Sequence, residues 1–275
     1  MNTTLSKKNL KAFQDTIYRY YNQHKREFSW RNDPSMYHVV VSEIMLQQTQ
    51  TYRVAPKFEL FIQKFPNFQT LAQAPLKELL LAWQGLGYNR RALSLQKTAQ
   101  IIVEQHNGIV PNNPEILKTF PGIGPATAAS ICAFAFDNPT VFIETNIRAV
   151  YIHFFFQQQS NINDKQLLPL IEQTVDKKNA RQWYYALMDY GVMLKKNITN
   201  PSRKSAHHTQ QSKFEGSDRQ IRGMILRLLT QHNKLSYNQI IEHTEKEPHR
   251  VQKILMQLHA ETFIKKNNDM FEISS

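Results

Sequence analysis

The segment Leu117–Ile131, LKTFPGIGPATAASI, constrains this chain more than any other: two stretches of helical pattern flank a Pro121-Gly122-Ile123-Gly124 turn. Proline fixes one backbone angle, while the glycines let the chain reverse and come close to a ligand. The second helix then begins with uncommitted N–H groups and the positive end of its dipole facing outward, a ready phosphate site. Such a hairpin holds a nucleic-acid backbone without reading its sequence. From this segment alone, an ordinary helix–turn–helix corner is the competing reading.

The chain has 275 residues, enough for two or three units with a real core. Its net charge of +12 favours a polyanionic partner, nucleic acid or acidic lipid. No run of about 18 apolar residues suggests a membrane span, and the start MNTTLSKKNL lacks an apolar signal core, so a cytoplasmic protein that does not engage membranes is expected. Cys132 is the one cysteine and sits among Ala128, Ala129, Ile131 and Phe134, which reads as core. A disulfide framework and cysteine-ligated metals are thereby excluded.

Periodicity predicts a mainly α protein, with helices over Leu71–Trp83, Ala92–Gln105, Thr127–Phe136 and Lys165–Val175 separated by short proline-marked loops. Residues 195–216 read as a basic linker or an ordered loop on DNA. Beyond them, helices over Arg219–Gln231, Ser236–Thr244 and Pro248–Ala260 and a hairpin through Thr262–Lys265 and Met270–Ile273 suggest a winged-helix unit over 217–275. Its third helix, with His249, Arg250 and Lys253, is either a groove reader or a protein-contacting element.

Trp30-Arg31, the string Val41-Ser42-Glu43-Ile44-Met45-Leu46-Gln47-Gln48-Thr49-Gln50, Gly85-Leu86-Gly87-Tyr88 and Phe120-Pro121-Gly122-Ile123-Gly124 together resemble the helix-hairpin-helix DNA glycosylases, most closely the adenine DNA glycosylase (MutY) branch. The resemblance covers about residues 20–194. It implies two helical domains with the DNA and base pocket between them: a six-helix unit over 36–142, and a second domain from 1–35 plus 143–194. It also implies a monomer acting on double-stranded DNA that carries a mismatch or damaged base, which is flipped out and cut from its sugar.

Glu43 lies among Val39, Val40, Val41, Ile44 and Leu46, a setting that raises a carboxyl pKa and suits a general acid. By resemblance it protonates the departing purine and later activates water. Glu144 stands where the family has an aspartate that stabilises the cationic sugar; here that side chain is longer by a methylene. Ala126 takes the place of the lysine with which bifunctional relatives form a Schiff base, so a monofunctional hydrolase is implied. Trp30, Arg31, Leu46, Ala126, Asn146 and Asp189 are the implied base-pocket residues. Gln47, Gln48, Tyr88, Arg90, Arg91, Gly122, Ile123, Gly124 and Thr127 are the implied DNA contacts, Gln48 and Tyr88 as wedges.

Two features of the relatives are missing. Gly191-Val192-Met193-Leu194 is followed by Lys195-Lys196-Asn197 rather than by the four cysteines of an iron–sulfur cluster, so no cofactor is expected. The family hairpin can hold an alkali cation through main-chain carbonyls, and no side chain here identifies one. A winged helix also stands where adenine glycosylases carry the domain that senses 8-oxoguanine. The expected substrate is adenine opposite guanine or 8-oxoguanine. A thymine, uracil or alkylated-base glycosylase and a non-catalytic DNA-damage binder are the alternatives.

Overall fold

Local sequence signals set most element boundaries, as a computed structural model describing residues 4–209 and 211–274 shows. Ser6 caps the helix Lys7–His24, Asn163 and Gln166 form a reciprocal cap on Asp164–Thr174, and Ser236 and Gln239 do the same for Tyr237–Thr244. Each cap satisfies amide donors that a helix end leaves open. The Leu71–Trp83 helix expected from periodicity is two helices, Phe68–Ala72 and Leu76–Trp83. Pro75 causes the break, because it lacks an N–H and disfavours helical geometry in the residue before it.

The chain forms two compact units. The first contains residues 1–43, 110–119 and 123–210. Its principal helices are Lys7–His24, Pro125–Phe136, Thr145–Phe155, Asp164–Thr174 and Ala180–Asn197. Phe13 anchors an aromatic core, 5.4 Å from the Tyr151 ring and 5.7 Å from that of Trp183, both edge-on. Cys132 is buried here, and burial pushes its thiol up to about 11. Past Asn197 the basic segment folds into a 3-10 turn, Pro201–Lys204. Ser202 ties that turn to the Thr145 carbonyl at 3.0 Å.

The second unit combines residues 44–109 and 120–122 with 211–275. Helices Thr51–Lys64, Phe68–Ala72, Leu76–Trp83 and Arg90–His106 precede a C-terminal set: Asp218–Gln231, Tyr237–Thr244 and Pro248–Ala260. The three strands are Leu235–Ser236, Ile264–Asn267 and Met270–Ile273, antiparallel with the last in the centre. The expected hairpin is present with its first strand shifted toward the C-terminus; the two-residue first strand carries too little pattern to be read from sequence. Ile225, Leu229, Val251, Leu258 and Phe263 form the core of this set, and Leu80 of the Leu76–Trp83 helix joins them. Among the described residues, no helix is long and apolar enough to cross a membrane.

Candidate active site

Glu43 rides on the helix Met36–Leu46, where Val39, Val40, Val41 and Ile44 are buried. Part of the residue reaches the surface, but its carboxyl is enclosed by protein. That enclosure pushes it up to about 7. A hydrogen bond from Ser130 partly opposes the rise, the nearby Glu144 charge adds to it, and Arg31 lowers it. A carboxyl tuned this way is a proton donor near neutral pH.

Ser130 comes from Pro125–Phe136, the helix that follows the hairpin turn. Its Oγ contacts Glu43 Oε2 and lies 3.0 Å from the Thr127 carbonyl. A hydroxyl donates once and accepts twice. When Glu43 is ionised, Ser130 donates to it; when Glu43 is protonated, Ser130 accepts from it and donates to Thr127. Both protonation states are therefore satisfied without moving the acid. Sequence reading missed Ser130, although a serine one turn beyond Thr127 in an otherwise apolar helical run was the available signal.

Glu144 closes the N-terminus of Thr145–Phe155. Its Oε1 accepts from the amides of Asn146 at 2.7 Å and Ile147 at 2.8 Å, and its Oε2 from the Asn146 side chain at 3.0 Å. Three donors fix the carboxylate, and the positive helix end favours its charge. The longer glutamate thus completes a cap of the kind that shorter side chains usually make. Asn146 Oδ1 is buried and has no hydrogen-bond partner among the described residues.

Gly191, in the helix Ala180–Asn197, brings that helix against this cap. A Cβ there would lie 2.5 Å from the Asn146 carbonyl oxygen, so only glycine allows the approach. Four residues on, Lys195 lies within electrostatic reach of Glu144, and burial lowers its ammonium pKa. Neither residue was singled out as functional from sequence.

Asp189 is buried and clamped by arginines. It accepts from Arg26 Nε at 2.7 Å and from both terminal nitrogens of Arg31 at 3.0 Å. The Arg31 guanidinium then lies 4.5 Å over the Tyr185 ring, which stacks on Phe134. Tyr185 feels the Glu43 charge, and burial raises its phenol pKa. Trp30 is buried and stacked on Phe28 at 4.7 Å. Asp189 thus holds Arg31 in place, and the Arg31 charge is close enough to Glu43 to lower its pKa. Leu46 is half-buried and Ala126 exposed.

The hairpin turns at Gly122, whose φ of +76° and 2.7 Å approach to Ser94 Cβ exclude any side chain. Gly122 and Gly124 are exposed and Thr127 half-buried, whereas the Ile123 side chain is in the core, so only its main chain is available to a ligand. Gln47 donates to the Gly122 carbonyl at 2.9 Å. Gln48 and Tyr88 adopt left-handed φ values of +54° and +49°, a strained conformation for such residues.

Of Arg90 and Arg91, both expected to meet phosphates, only Arg91 is buried away from solvent. Arg90 is exposed and paired with Glu261. Arg91 is buried, and its guanidinium donates to the carbonyls of Ile44, Met45, Leu86 and Gly87 and to the Thr49 hydroxyl. Burial brings Arg91 down to about 10. It braces the Gly85–Tyr88 turn from beneath. A basic residue beside a glycine-rich turn looks alike in sequence whether it faces solvent or the core.

Four thiolate ligands cannot come from a single cysteine, so these residues do not fit an iron–sulfur cluster. Among the described residues, no group of three or more His, Cys, Asp or Glu is placed to hold a metal.

The profile of the HhH-GPD superfamily base excision DNA repair proteins matches residues 41–177. An adenine DNA glycosylase of Buchnera aphidicola is 37% identical over 189 residues, 66% of this chain and 53% of that one. One from Mus musculus is 34% identical over 209 residues, 72% and 40% of the two chains, and one from Mycolicibacterium smegmatis is 29% identical over 231, 76% and 78%. The chain spans about half the length of the first of these relatives. In fold it is similar to a thermostable thymine-DNA glycosylase, with a TM-score of 0.62 at 24% identity over 72% of this chain and 92% of that one. It is also similar to an endonuclease III in complex with DNA, with a TM-score of 0.56 at 19% identity over 67% and 85%.

Proposed function

This chain belongs to the HhH-GPD superfamily of base excision DNA repair proteins, and from that premise we propose that it is a monofunctional DNA glycosylase. Its substrate is an everted purine in duplex DNA, adenine opposite guanine or 8-oxoguanine. The observation that carries this reading is the enclosed Glu43 carboxyl, hydrogen-bonded by Ser130 and near the capped Glu144 carboxylate.

Glu43 gives its proton to the purine as the N-glycosidic bond breaks, and the bonding electron pair leaves with the base. The Glu144 carboxylate, held by the Asn146 and Ile147 amides, balances the positive charge left on the sugar. Water then adds to the anomeric carbon and passes a proton back to Glu43, which restores the acid. Ala126 offers no amine for a covalent intermediate, so the product is an abasic site with an intact strand. Gln47, Gln48, Tyr88 and the Gly122–Gly124 main chain are the proposed DNA contacts.

Incubation with duplexes carrying A·G, A·8-oxoguanine, T·G, U·G and alkylated bases, followed by alkali, tests this. Strand breaks that need alkali and occur with the two adenine duplexes are expected. If no duplex in the set loses a base, the enzymatic reading fails; if only T·G, U·G or the alkylated bases react, the adenine assignment fails.

A further inference from the structure

Within the second unit, the helices of 51–106, the first C-terminal helix, Asp218–Gln231, and the uncharged Ile254 and Gln257 of Pro248–Ala260 line a cavity of about 1140 Å³. Both acids at its wall are already neutralised. Glu261 is paired with Arg90 and Arg222, and Asp218 with Arg250 and Lys253. Arg53, Lys57, Arg219 and Arg227 line the same cavity and have no acidic partner among the described residues. Arg53 donates to the Gly85 carbonyl and Arg219 to the Tyr88 hydroxyl and the Ser212 carbonyl, neutral acceptors that leave both charges uncancelled.

The third helix of this unit presents a contrasting surface. Arg250 and Lys253, the basic residues of Pro248–Ala260, are the ones held by Asp218. Arg219 and Arg227 lie eight positions apart on Asp218–Gln231, about 12 Å along a helix axis. One strand of a duplex advances about three or four phosphates over that length. Phe214, 58% exposed, and the half-buried Tyr88 add aromatic faces to the same wall. Interleaved cations and aromatic rings are the surface that nucleic acid recognises.

We infer that the C-terminal unit engages DNA phosphates through this cavity, using its first helix with Arg53 and Lys57, and not through its third helix. The choice of DNA as occupant rests on the glycosylase reading above; the choice of face does not.

Lys57 and Arg227 make no side-chain hydrogen bond or ion pair among the described residues, so removing them breaks no internal polar contact. The test measures the salt dependence of binding to an undamaged fluorescent duplex for the intact chain, Lys57→Ala/Arg227→Ala and His249→Ala/Lys253→Ala. Each lost phosphate contact lowers the log–log salt slope by about one. A slope reduced by about two in the first variant and unchanged in the second is expected. An unchanged slope in the first variant, or a reduced one in the second, overturns the inference. Base release by the intact chain is scored in parallel, so failure of the glycosylase reading is seen separately from failure of this one.

Discussion

Ser130 reaches across from the hairpin helix to the Glu43 carboxyl, joining residues 87 positions apart in the chain. This contact favours the ionised form and so holds the acid lower than burial alone would place it. Ser130→Ala is expected to raise Glu43 above about 7. The alkaline limb of the pH–rate profile for base release then moves to higher pH. An unmoved limb, in a variant that still turns over, removes Ser130 from the tuning of the acid.

The same acid makes stability depend on pH. Its folded value of about 7 exceeds the ordinary 4.5, so the native state binds this proton more tightly than the unfolded chain does. Stability from this group is full below about 4.5, declines as pH rises through the window to about 7, and stays lost above it. Glu43→Gln has no such proton to lose. Relative to wild type, it is expected to gain up to about 3 kcal/mol between pH 4 and pH 8, measured by urea unfolding. Parallel curves for the two proteins would show that the carboxyl is not held protonated.

Asp189 is a buried anion shared by Arg26 and Arg31. Asp189→Asn leaves two guanidinium groups short of their counter-charge, one of them with a side chain only 7% exposed. A loss of about 3–5 kcal/mol is expected for a broken buried pair. Urea denaturation reads it directly, and a loss below about 1 kcal/mol would mean that Arg31 finds another partner.

Glu144 has two separable tasks, capping a helix and supplying negative charge. Glu144→Gln keeps an oxygen for the Asn146 and Ile147 amides but has no charge; Glu144→Ala loses both. Stability is expected to fall by about 1 kcal/mol in the alanine variant and little in the glutamine variant. Base release should drop in both. Wild-type turnover by Glu144→Gln would make this residue a cap alone.

Local rules written in a few consecutive residues were legible in sequence, as at the Pro121–Gly124 turn and the Ser236 cap, whereas apolar periodicity running through Pro75 masked the break there. Glu43 was legible as an acid in apolar company. The Ser130 contact, the Gly191 approach to Asn146 and the Asp189 clamp were not, because each joins segments that only the tertiary fold brings together. Arg91 shows the same limit in reverse: its neighbours in sequence suggest a surface, and packing from Ile44 to Thr49 makes it a brace. Asn89 precedes the Arg90–His106 helix without making a side-chain cap, so nothing local marked where that helix starts.

The central claim is that a neutral Glu43 delivers the proton on which base departure depends. Single-turnover release of adenine from an A·8-oxoguanine duplex at pH 6.5, compared between wild type and Glu43→Gln at matched duplex occupancy, tests it most directly. A fall of about 10²–10⁴-fold in rate with unchanged duplex affinity is expected for loss of a general acid. Equal rates in the two proteins would contradict the account.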